Sequence, residues 1–242
     1  MTPSVILQVI CPDRPGLVSE LSSWVYINQG NIFHADHHTD HRAGVFISRI
    51  EWGLGGFKLS RTSIKKEVQT LAKRLEGTAT VHFSDACPRV AIFVSKQDHC
   101  LLDLLWRVKS NELKMQVPLI ISNHKDLGDL CREFGVDFKY FPTNNKVIAE
   151  KLIIETLYDY QIELVVLAKY MQILSADFLA KFPMTINIHH SFLPAFKGAK
   201  PYHQAWLRGV KIIGATAHYV TESLDDGPII DQEISYVSHR DE

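Results

Sequence analysis

The sequence predicts an α/β protein in two units, a ferredoxin-like unit over residues 1–84 and a Rossmann-like unit over residues 85–242. Three observations predict this division. Up to residue 83, apolar periodicity follows the order strand, helix, strand, strand, helix, strand, which is the ferredoxin-like order. From residue 89, strands and helices alternate, and repeated βα units produce a mostly parallel sheet covered on both faces. Ser84-Asp-Ala-Cys-Pro88 lies between the two as the predicted linker, since proline interrupts strand pairing.

The bulk composition argues against several classes of protein. With 242 residues, 46% of them hydrophobic, the chain is able to bury a sizeable core. A net charge of −1 argues against a nucleic-acid or membrane-surface protein that depends on bulk charge. No apolar run approaches the roughly 18 residues of a membrane span, and the N-terminus lacks the basic region of a signal peptide. The four cysteines form no C-x-x-C pair, so we expect free thiols and a cytoplasmic protein without nucleic-acid or membrane partners.

In the first unit, the predicted strands cover residues 5–10, 32–39, 45–52 and 78–83. The two predicted helices carry apolar residues at helical spacing: Leu17, Leu21, Trp24 and Val25, then Ile64, Val68, Leu71 and Leu75. The motif Asp13-Arg-Pro-Gly-Leu-Val18 at the start of the first helix, in this order of elements, resembles an ACT domain. ACT domains are small regulatory modules that often bind amino acids at subunit interfaces. The resemblance therefore implies an amino-acid effector and a homo-oligomer.

Four histidines on or just after the second predicted strand, His34, His37, His38 and His41, raise the question of a metal site. On a strand, His34 and His38 share one face, while His37 and His41 share the other. Four such side chains converge on one ion only if the strand is distorted. We therefore expect a solvated sheet edge or an interface, and no metal.

In the second unit, the predicted strands cover residues 89–95, 117–122, 138–141, 162–168, 185–189 and 212–220. The three helices between the first four strands are indicated by residues at helical spacing: Leu101, Leu104, Leu105 and Val108; Leu127 and Leu130; and Ile148, Leu152, Glu155 and Tyr158. Residues 162–168 form a continuous apolar run, which is typical of a strand buried on both faces.

The strand 185–189 carries two polar residues at the alternation of a strand. The period of two places Asn187 and His189 on one face and Ile186 and Ile188 on the other, which we expect to face the core. His190 follows on the face opposite His189. We expect a structural role for His190, with orientation of a water molecule as the alternative.

The strand 212–220 brings further polar groups to the same region. Thr216 and His218 share a face, and the strand is followed by a turn that contains Asp225 and Gly227, in which we expect Gly227 to adopt a positive φ. An amide, an imidazole and a carboxylate thus lie at or beyond strand ends. In open α/β sheets, ligands bind at that edge.

These three groups suit acyl transfer. A carbonyl under attack needs a hydrogen-bond donor for the developing oxyanion, which Asn187 or a protonated His189 supplies. The attacking group needs a base, and the leaving nitrogen needs an acid, tasks that Asp225 and His189 are able to share. No cysteine or G-x-S-x-G motif lies in this region, so a covalent acyl-enzyme is not favoured. The alternative is that these residues only satisfy buried backbone groups and a turn.

The motifs of this region resemble those of the folate-dependent formyltransferase superfamily. They are Asn-x-His-x-Ser-x-Leu-Pro from residue 187 and His-Tyr-Val-Thr-x-x-Leu-Asp-x-Gly-Pro-Ile-Ile from residue 218. The longer stretch from Asn187 to His203 is similar to one branch, the formyltetrahydrofolate deformylases, which hydrolyse 10-formyltetrahydrofolate to formate and tetrahydrofolate. The resemblance implies that Asn187, His189 and Asp225 are catalytic. It also implies a formyltransferase-like sheet, a role in one-carbon metabolism and purine biosynthesis, and no cofactor besides the folate substrate.

The segment that follows the apolar strand resembles the family loop that receives the pterin ring. Backbone groups of Met171 to Leu174 are the predicted readers of the pterin edge; a plain strand-to-helix connection is the alternative. We add His218 and Gly227 to the predicted substrate-binding residues, and expect His218 to support Asp225 or His189 by hydrogen bonding.

Two features bear on the acceptor. Family members that use a ribonucleotide have a glycine-rich phosphate loop after the first strand of this unit, whereas no glycine lies here between residues 89 and 128. This favours water over a phosphorylated amine. Ser238-x-x-Asp241 predicts a capping box that opens a further helix, so we expect the family's elements to extend beyond Glu242. Two other functions stay open: a formyltransferase with an amine acceptor, and an inactive ACT-type ligand sensor.

Overall fold

The computed structural model describes residues 2–198, 200–238 and 240. The chain divides into two compact units, Met1–Ala86 and Cys87–Glu242. The sequence placed this boundary after residue 84, two residues earlier. The predicted capping box at Ser238-x-x-Asp241 includes positions outside the described residues. No helix in the described part of the chain combines the length and apolar character that crossing a membrane requires.

The first unit contains the elements that the periodicity predicts, in the same order. They are β1 (Ser4–Pro12), α1 (Leu17–Ile27), β2 (Ile32–Asp40), β3 (Val45–Gly53), α2 (Arg61–Arg74) and β4 (Thr78–Phe83). The four strands form an antiparallel sheet in the order β2-β3-β1-β4. Alternate residues of β1, among them Leu7 and Val9, pack with the apolar faces of α1 and α2 around the buried Trp52. Apolar burial on one face of the sheet therefore holds this unit together.

The second unit contains seven strands and five helices within the described residues. They are β5 (Arg89–Val94), α3 (His99–Lys109), β6 (Gln116–Ser122), α4 (Gly128–Glu133), β7 (Asp137–Tyr140), α5 (Lys146–Asp159), β8 (Leu164–Leu167), α6 (Ala176–Lys181), β9 (Thr185–His189), α7 (Pro201–Leu207), β10 (Ile212–Tyr219) and β11 (Ile229–Tyr236). The sheet order is β11-β10-β9-β8-β5-β6-β7. Strands β5 to β9 are mutually parallel, while β10 and β11 are antiparallel additions. The predicted mostly parallel α/β sheet is confirmed.

Both faces of this sheet are covered. Alternate residues of β5 enter two different cores: Ala91 and Phe93 pack on one side, and Val90, Ile92 and Val94 on the other. This explains why the central strands are apolar without alternation. Because β9 and β10 continue the sheet from β8, the polar residues of these two strands lie next to the loop that leaves β8.

Two details of burial differ from the expectation. In α5, the residues that predicted the helix, Ile148, Leu152, Glu155 and Tyr158, are all exposed, and the buried face is formed by Ala149, Glu150, Ile153, Ile154 and Leu157. The helix is apolar on more than one side, so its periodicity did not determine the side that packs. Ile188 is 43% exposed, and the prediction that it faces the core is wrong. The alternation of β9 is present, but Ile188 lines a cavity instead of packing in the core.

Candidate active site

Asn187 and His218 face each other across the antiparallel pair β9–β10. Asn187 Nδ2 donates to His218 Nε2 at 3.2 Å, and His218 Nδ1 donates to the carbonyl oxygen of Tyr219 at 3.0 Å. One neutral tautomer of His218, protonated at Nδ1, satisfies both contacts. His218 therefore fixes the orientation of the Asn187 amide, with the amide nitrogen directed towards His218. The expectation that His218 bonds to Asp225 or His189 is corrected: its closest approach to Asp225 is 3.8 Å, beyond hydrogen-bond distance.

His189 and Asp225 form a buried pair. His189 Nδ1 lies 3.3 Å from Asp225 Oδ2, and the two side chains are 5% and 6% exposed. His189 Nε2 lies 3.2 Å from the carbonyl oxygen of Phe196. Both ring nitrogens thus face oxygen acceptors, and a ring that carries both protons satisfies both contacts. Asp225 Oδ2 also accepts from the backbone N–H of Gly198 at 3.1 Å, which positions the carboxylate.

The turn after β10 places Asp225 in a way that the sequence did not predict. Asp225 itself adopts the left-handed conformation, with φ of 51°, whereas Gly227 does not. The expectation of a positive φ at Gly227 is wrong. A Cβ on Gly227 would lie 1.7 Å from the carbonyl oxygen of Tyr219, so glycine is required there for close backbone approach. Aspartate is among the residues that tolerate the left-handed region, which it occupies here with its carboxylate directed at His189.

A buried hydroxyl holds the loop between β9 and α7. Thr216 Oγ1 donates to the carbonyl oxygen of Ser191 at 2.7 Å and accepts from the backbone N–H of Leu193 at 3.1 Å. Gln232 Nε2 donates to Thr216 Oγ1 at 3.0 Å and to the carbonyl oxygen of Leu193 at 2.9 Å. These contacts position the loop that carries Phe196 and Gly198 to the buried pair. Sequence reasoning placed Thr216 on the correct strand but gave no indication of this role for Gln232.

A cavity of about 470 Å³ opens beside these residues. Asn187, His189, His218 and Asp225 line one part of it, and Met171 to Leu174 line another. Met171 is 64% exposed, whereas Leu174 is buried in the core. The structure thus brings the predicted catalytic residues and most of the predicted substrate-binding residues to one cavity. Gly227 is not among its lining residues.

The segment that contains Met171 is anchored by a buried serine. The backbone N–H of Met171 donates to Ser95 Oγ at 3.0 Å, and Ser95 Oγ donates to Asn123 Oδ1 at 2.7 Å. Ser95 and Asn123 follow β5 and β6, so the ends of neighbouring parallel strands support the loop after β8. This is the edge of the sheet at which ligands bind in α/β folds.

His190 lines the same cavity as His189. Ile188, on the face of β9 opposite His189, lines it as well, so a position of His190 on that face is compatible with a place in the site. The ring lies 5.6 Å from that of His189 and meets Tyr202 edge-on at 5.5 Å. Burial lowers the pKa of His190 below its usual value of 6.5, and the nearby charges of His189 and Lys169 lower this pKa further.

A second cavity of about 430 Å³ shares Lys169, Ile188, His190 and Lys200 with the first. No carboxylate among the described residues lies within ion-pair distance of Lys169 or Lys200.

Within the described residues, no cluster of three or more histidine, cysteine, aspartate or glutamate side chains is arranged to hold a metal ion. The groups that line the site include hydrogen-bond donors, an imidazole–carboxylate pair and two further imidazoles.

The comparisons with known proteins agree on one family. Residues 88–242 match the family model described as formyl transferase. The formyltetrahydrofolate deformylase of Synechocystis sp. is 56% identical, and the match covers 97% of this chain and 84% of that protein. The formyltetrahydrofolate deformylase of Bacillus subtilis is 43% identical, with 97% and 80% covered.

Solved structures indicate the same family. The crystal structure of a formyltetrahydrofolate deformylase from Pseudomonas syringae pv. tomato has a TM-score of 0.94 at 39% identity, and covers 100% of this chain and 82% of that one. A glycinamide ribonucleotide transformylase from Symbiobacterium toebii has a TM-score of 0.62 at 30% identity, but covers only 65% of this chain and 77% of that one. The chain therefore belongs to the formyltetrahydrofolate deformylase family.

Proposed function

We propose that the chain is a hydrolase that cleaves 10-formyltetrahydrofolate into tetrahydrofolate and formate. The observation that carries the proposal is the grouping of Asn187, His189 and Asp225 in one wall of a cavity, in a chain of this family. The cavity is of the size that takes a small organic ligand, since such pockets have volumes of roughly 300–1,000 Å³. The substrate carries the one-carbon group itself, so the proposal includes no further cofactor.

In this mechanism, Asn187 and His189 stabilise the oxyanion. The Asn187 amide has a second N–H besides the one that His218 accepts, and this N–H is available to the formyl oxygen. Protonated His189 supplies positive charge beside it, held by Asp225. Water attacks the formyl carbon, the C–N10 bond breaks, N10 takes a proton and formate leaves as an anion. Donors that are fixed before the reaction stabilise the developing charge without reorganisation.

The pterin end of the folate contacts the segment from Met171 to Leu174 in this proposal. A pterin edge presents alternating donors and acceptors, which suit backbone N–H and C=O groups. The Ser95 hydroxyl holds the Met171 N–H, and this fixes one end of the segment. Affinity for the folate then depends on the geometry of this segment more than on the catalytic residues.

The acceptor in the proposal is water. An amine acceptor with a phosphate needs a site for that anion, and the segment from Ser95 to Cys100 has no glycine to form a backbone cradle. The test is incubation of the protein with 10-formyltetrahydrofolate alone and measurement of formate. Formate should equal the folate consumed, and added glycinamide ribonucleotide should change neither the rate nor the product. A stoichiometric formylated product would favour a formyltransferase, and absence of any turnover would favour a ligand sensor.

The cellular role in the proposal is the supply of formate for purine biosynthesis and the balance of one-carbon folate pools, in the cytoplasm. The proposal places the folate as the small-molecule partner and includes no nucleic acid or membrane. A cell that lacks this activity should require an external source of formate or of purines under conditions in which no other reaction supplies formate. Growth with and without formate measures this.

We assign the first unit as an ACT-like regulatory domain that binds an amino acid and contributes to a homo-oligomer. The turn at Asp13 to Gly16 is exposed, and Gly16, with φ of 89°, directly precedes α1. A carboxylate is favoured near the N–H groups at the start of a helix. Titration calorimetry with the common small amino acids should detect binding, and light scattering should detect more than one chain per particle. Absence of binding by all of them would leave an assembly role only.

A further inference from the structure

The site contains three imidazoles, and they differ in what their ring nitrogens contact. Both nitrogens of His189 are engaged, by Asp225 and by the Phe196 carbonyl. Both nitrogens of His218 are engaged, by Asn187 and by a backbone carbonyl. Among the described residues, neither ring nitrogen of His190 has a hydrogen-bond partner, although the ring is half-buried and borders a cavity. His190 is therefore the imidazole of this site that is able to accept a new hydrogen bond.

His190 lies where two cavities adjoin, and this position bears on how water reaches the site. Its ring lines the first cavity, which the folate occupies in the proposed function, and also the second cavity. The two cavities adjoin at His190, so water in the second cavity is able to reach this ring when the folate occupies the first. The ring is held in place by contact with His189 at 5.6 Å and with Tyr202 at 5.5 Å.

The electrostatic surroundings favour neutral His190. Burial disfavours its charged form, and positive groups surround it: His189 next to it, Lys169 after β8 and His99 on α3. The carboxylate of Asp225 acts in the opposite direction, but is the smaller effect. Two further groups line the second cavity with it, the Lys200 ammonium and the Tyr202 hydroxyl. A neutral imidazole has one nitrogen with a free lone pair, which is what a general base needs.

We propose that His190 is a further catalytic residue, the base that accepts a hydrogen bond from the attacking water and removes its proton. This rests on the proposed function. As the water oxygen bonds to the formyl carbon, one water proton moves to His190, and the carbonyl electron pair moves to the oxygen held by Asn187 and His189. When the C–N10 bond breaks, N10 receives that proton from His190, and the formic acid formed releases its hydroxyl proton to become formate. The overall reaction consumes one water and yields tetrahydrofolate, formate and one proton, so no oxidant or further reactant is needed.

The two adjacent histidines have different roles in this mechanism. His189, held by a carboxylate and a carbonyl, donates; His190, which has no hydrogen-bond partner in the part of the chain that the structure describes, accepts. The hypothesis from the sequence was that Asp225 and His189 remove the water proton. In the structure, Asp225 Oδ2 is occupied by His189 and by the Gly198 N–H, so this oxygen is poorly placed to take another proton.

The experiment compares His190→Phe, which keeps a ring of similar shape but removes the acceptor, with wild-type protein. We expect kcat to fall about 100-fold or more, within the reach of general base catalysis, while the affinity for tetrahydrofolate stays within about three-fold. The matched control is His203→Phe, because His203 lines the second cavity but not the first, and it should keep at least half of the wild-type kcat. A His190→Phe kcat within about three-fold of wild type would overturn the proposal.

A second variant keeps the test decisive if His190→Phe fails to fold. His190→Gln retains an acceptor that does not titrate, so it should hold water but not take its proton. We expect the kcat of wild type to fall when the pH drops below the His190 pKa. In His190→Gln, kcat should be low and should not show this fall. If His190→Gln keeps the wild-type acidic limb, His190 is not the base. Failure of the proposed function is distinguishable, because wild-type protein would then release no formate at all.

Discussion

The carboxylate of Asp225 provides the sharpest test of the site. Asp225→Asn keeps the size of the side chain and removes its charge, and asparagine also tolerates the left-handed backbone at φ of 51°. Oδ2 lies 3.3 Å from His189 Nδ1 in a buried setting, and two unit charges at that separation attract each other by about 5 kcal/mol at an effective dielectric constant of about 20. This is the upper limit of what the carboxylate supplies to positive charge on His189 during the reaction, and in the variant a neutral amide faces the ring instead.

We expect kcat to fall by about two to four orders of magnitude, which corresponds to about 3–5 kcal/mol of barrier. Formate release gives kcat, and a binding titration with tetrahydrofolate gives the affinity. The affinity should change little, because in the proposed function the backbone of the segment near Met171 binds the pterin. A large loss of affinity with an unchanged kcat would contradict the assigned role.

The neighbouring Asp226 is the matched control. It is 56% exposed, its carboxylate pairs with the Lys197 ammonium, and this hydrogen bond holds the pKa of Asp226 below its usual value. Asp226→Asn removes the same charge one residue away, and kcat should stay within about two-fold of wild type, as is usual when an exposed ion pair is lost. If Asp226→Asn abolishes activity while Asp225→Asn remains active, the assignment of the catalytic carboxylate is wrong.

Three further changes test other parts of the structure. Ser95→Ala removes the acceptor of the Met171 N–H, so KM for the folate should rise several-fold with kcat nearly unchanged; an equal fall in kcat would contradict a role limited to binding. Gly227→Ala places a Cβ 1.7 Å from the Tyr219 carbonyl oxygen, so calorimetry should show a lower Tm and assays a lower kcat; a wild-type Tm would refute the close approach. Hydrogen bonds from two arginines lower the pKa of Glu20 below its usual value of 4.5. The Glu20 carboxylate therefore stabilises the folded protein at pH values above 4.5, and this stabilisation is lost as the pH falls through the folded-state pKa. The Tm of Glu20→Gln should therefore be below that of wild type at pH 7 and converge with it in acid, and a constant difference at every pH would refute the role of this charge.

The sequence by itself determined the order of the elements in the first unit and most of those in the second, and which residues share a face of a strand, but it did not indicate α6, α7 or β11. Periodicity is a local property, so Thr185–His189 had to place Asn187 and His189 together whatever packs around them. The same local pattern did not determine which face is buried. Ile188 and the exposed side of α5 show this, because burial depends on what the rest of the chain places against each face.

The tertiary structure alone decided how the proposed catalytic groups meet. His189 and Asp225 are far apart in the chain, and their 3.3 Å contact depends on the β9–β10 pairing, the left-handed backbone at Asp225 and the N–H of Gly198. His190 lines the same cavity as His189 because the cavity reaches residues from both faces of the end of β9, and alternation along the strand does not reveal this. Contacts between distant segments depend on three-dimensional packing and on single backbone angles, and neither leaves a periodic signal in the sequence.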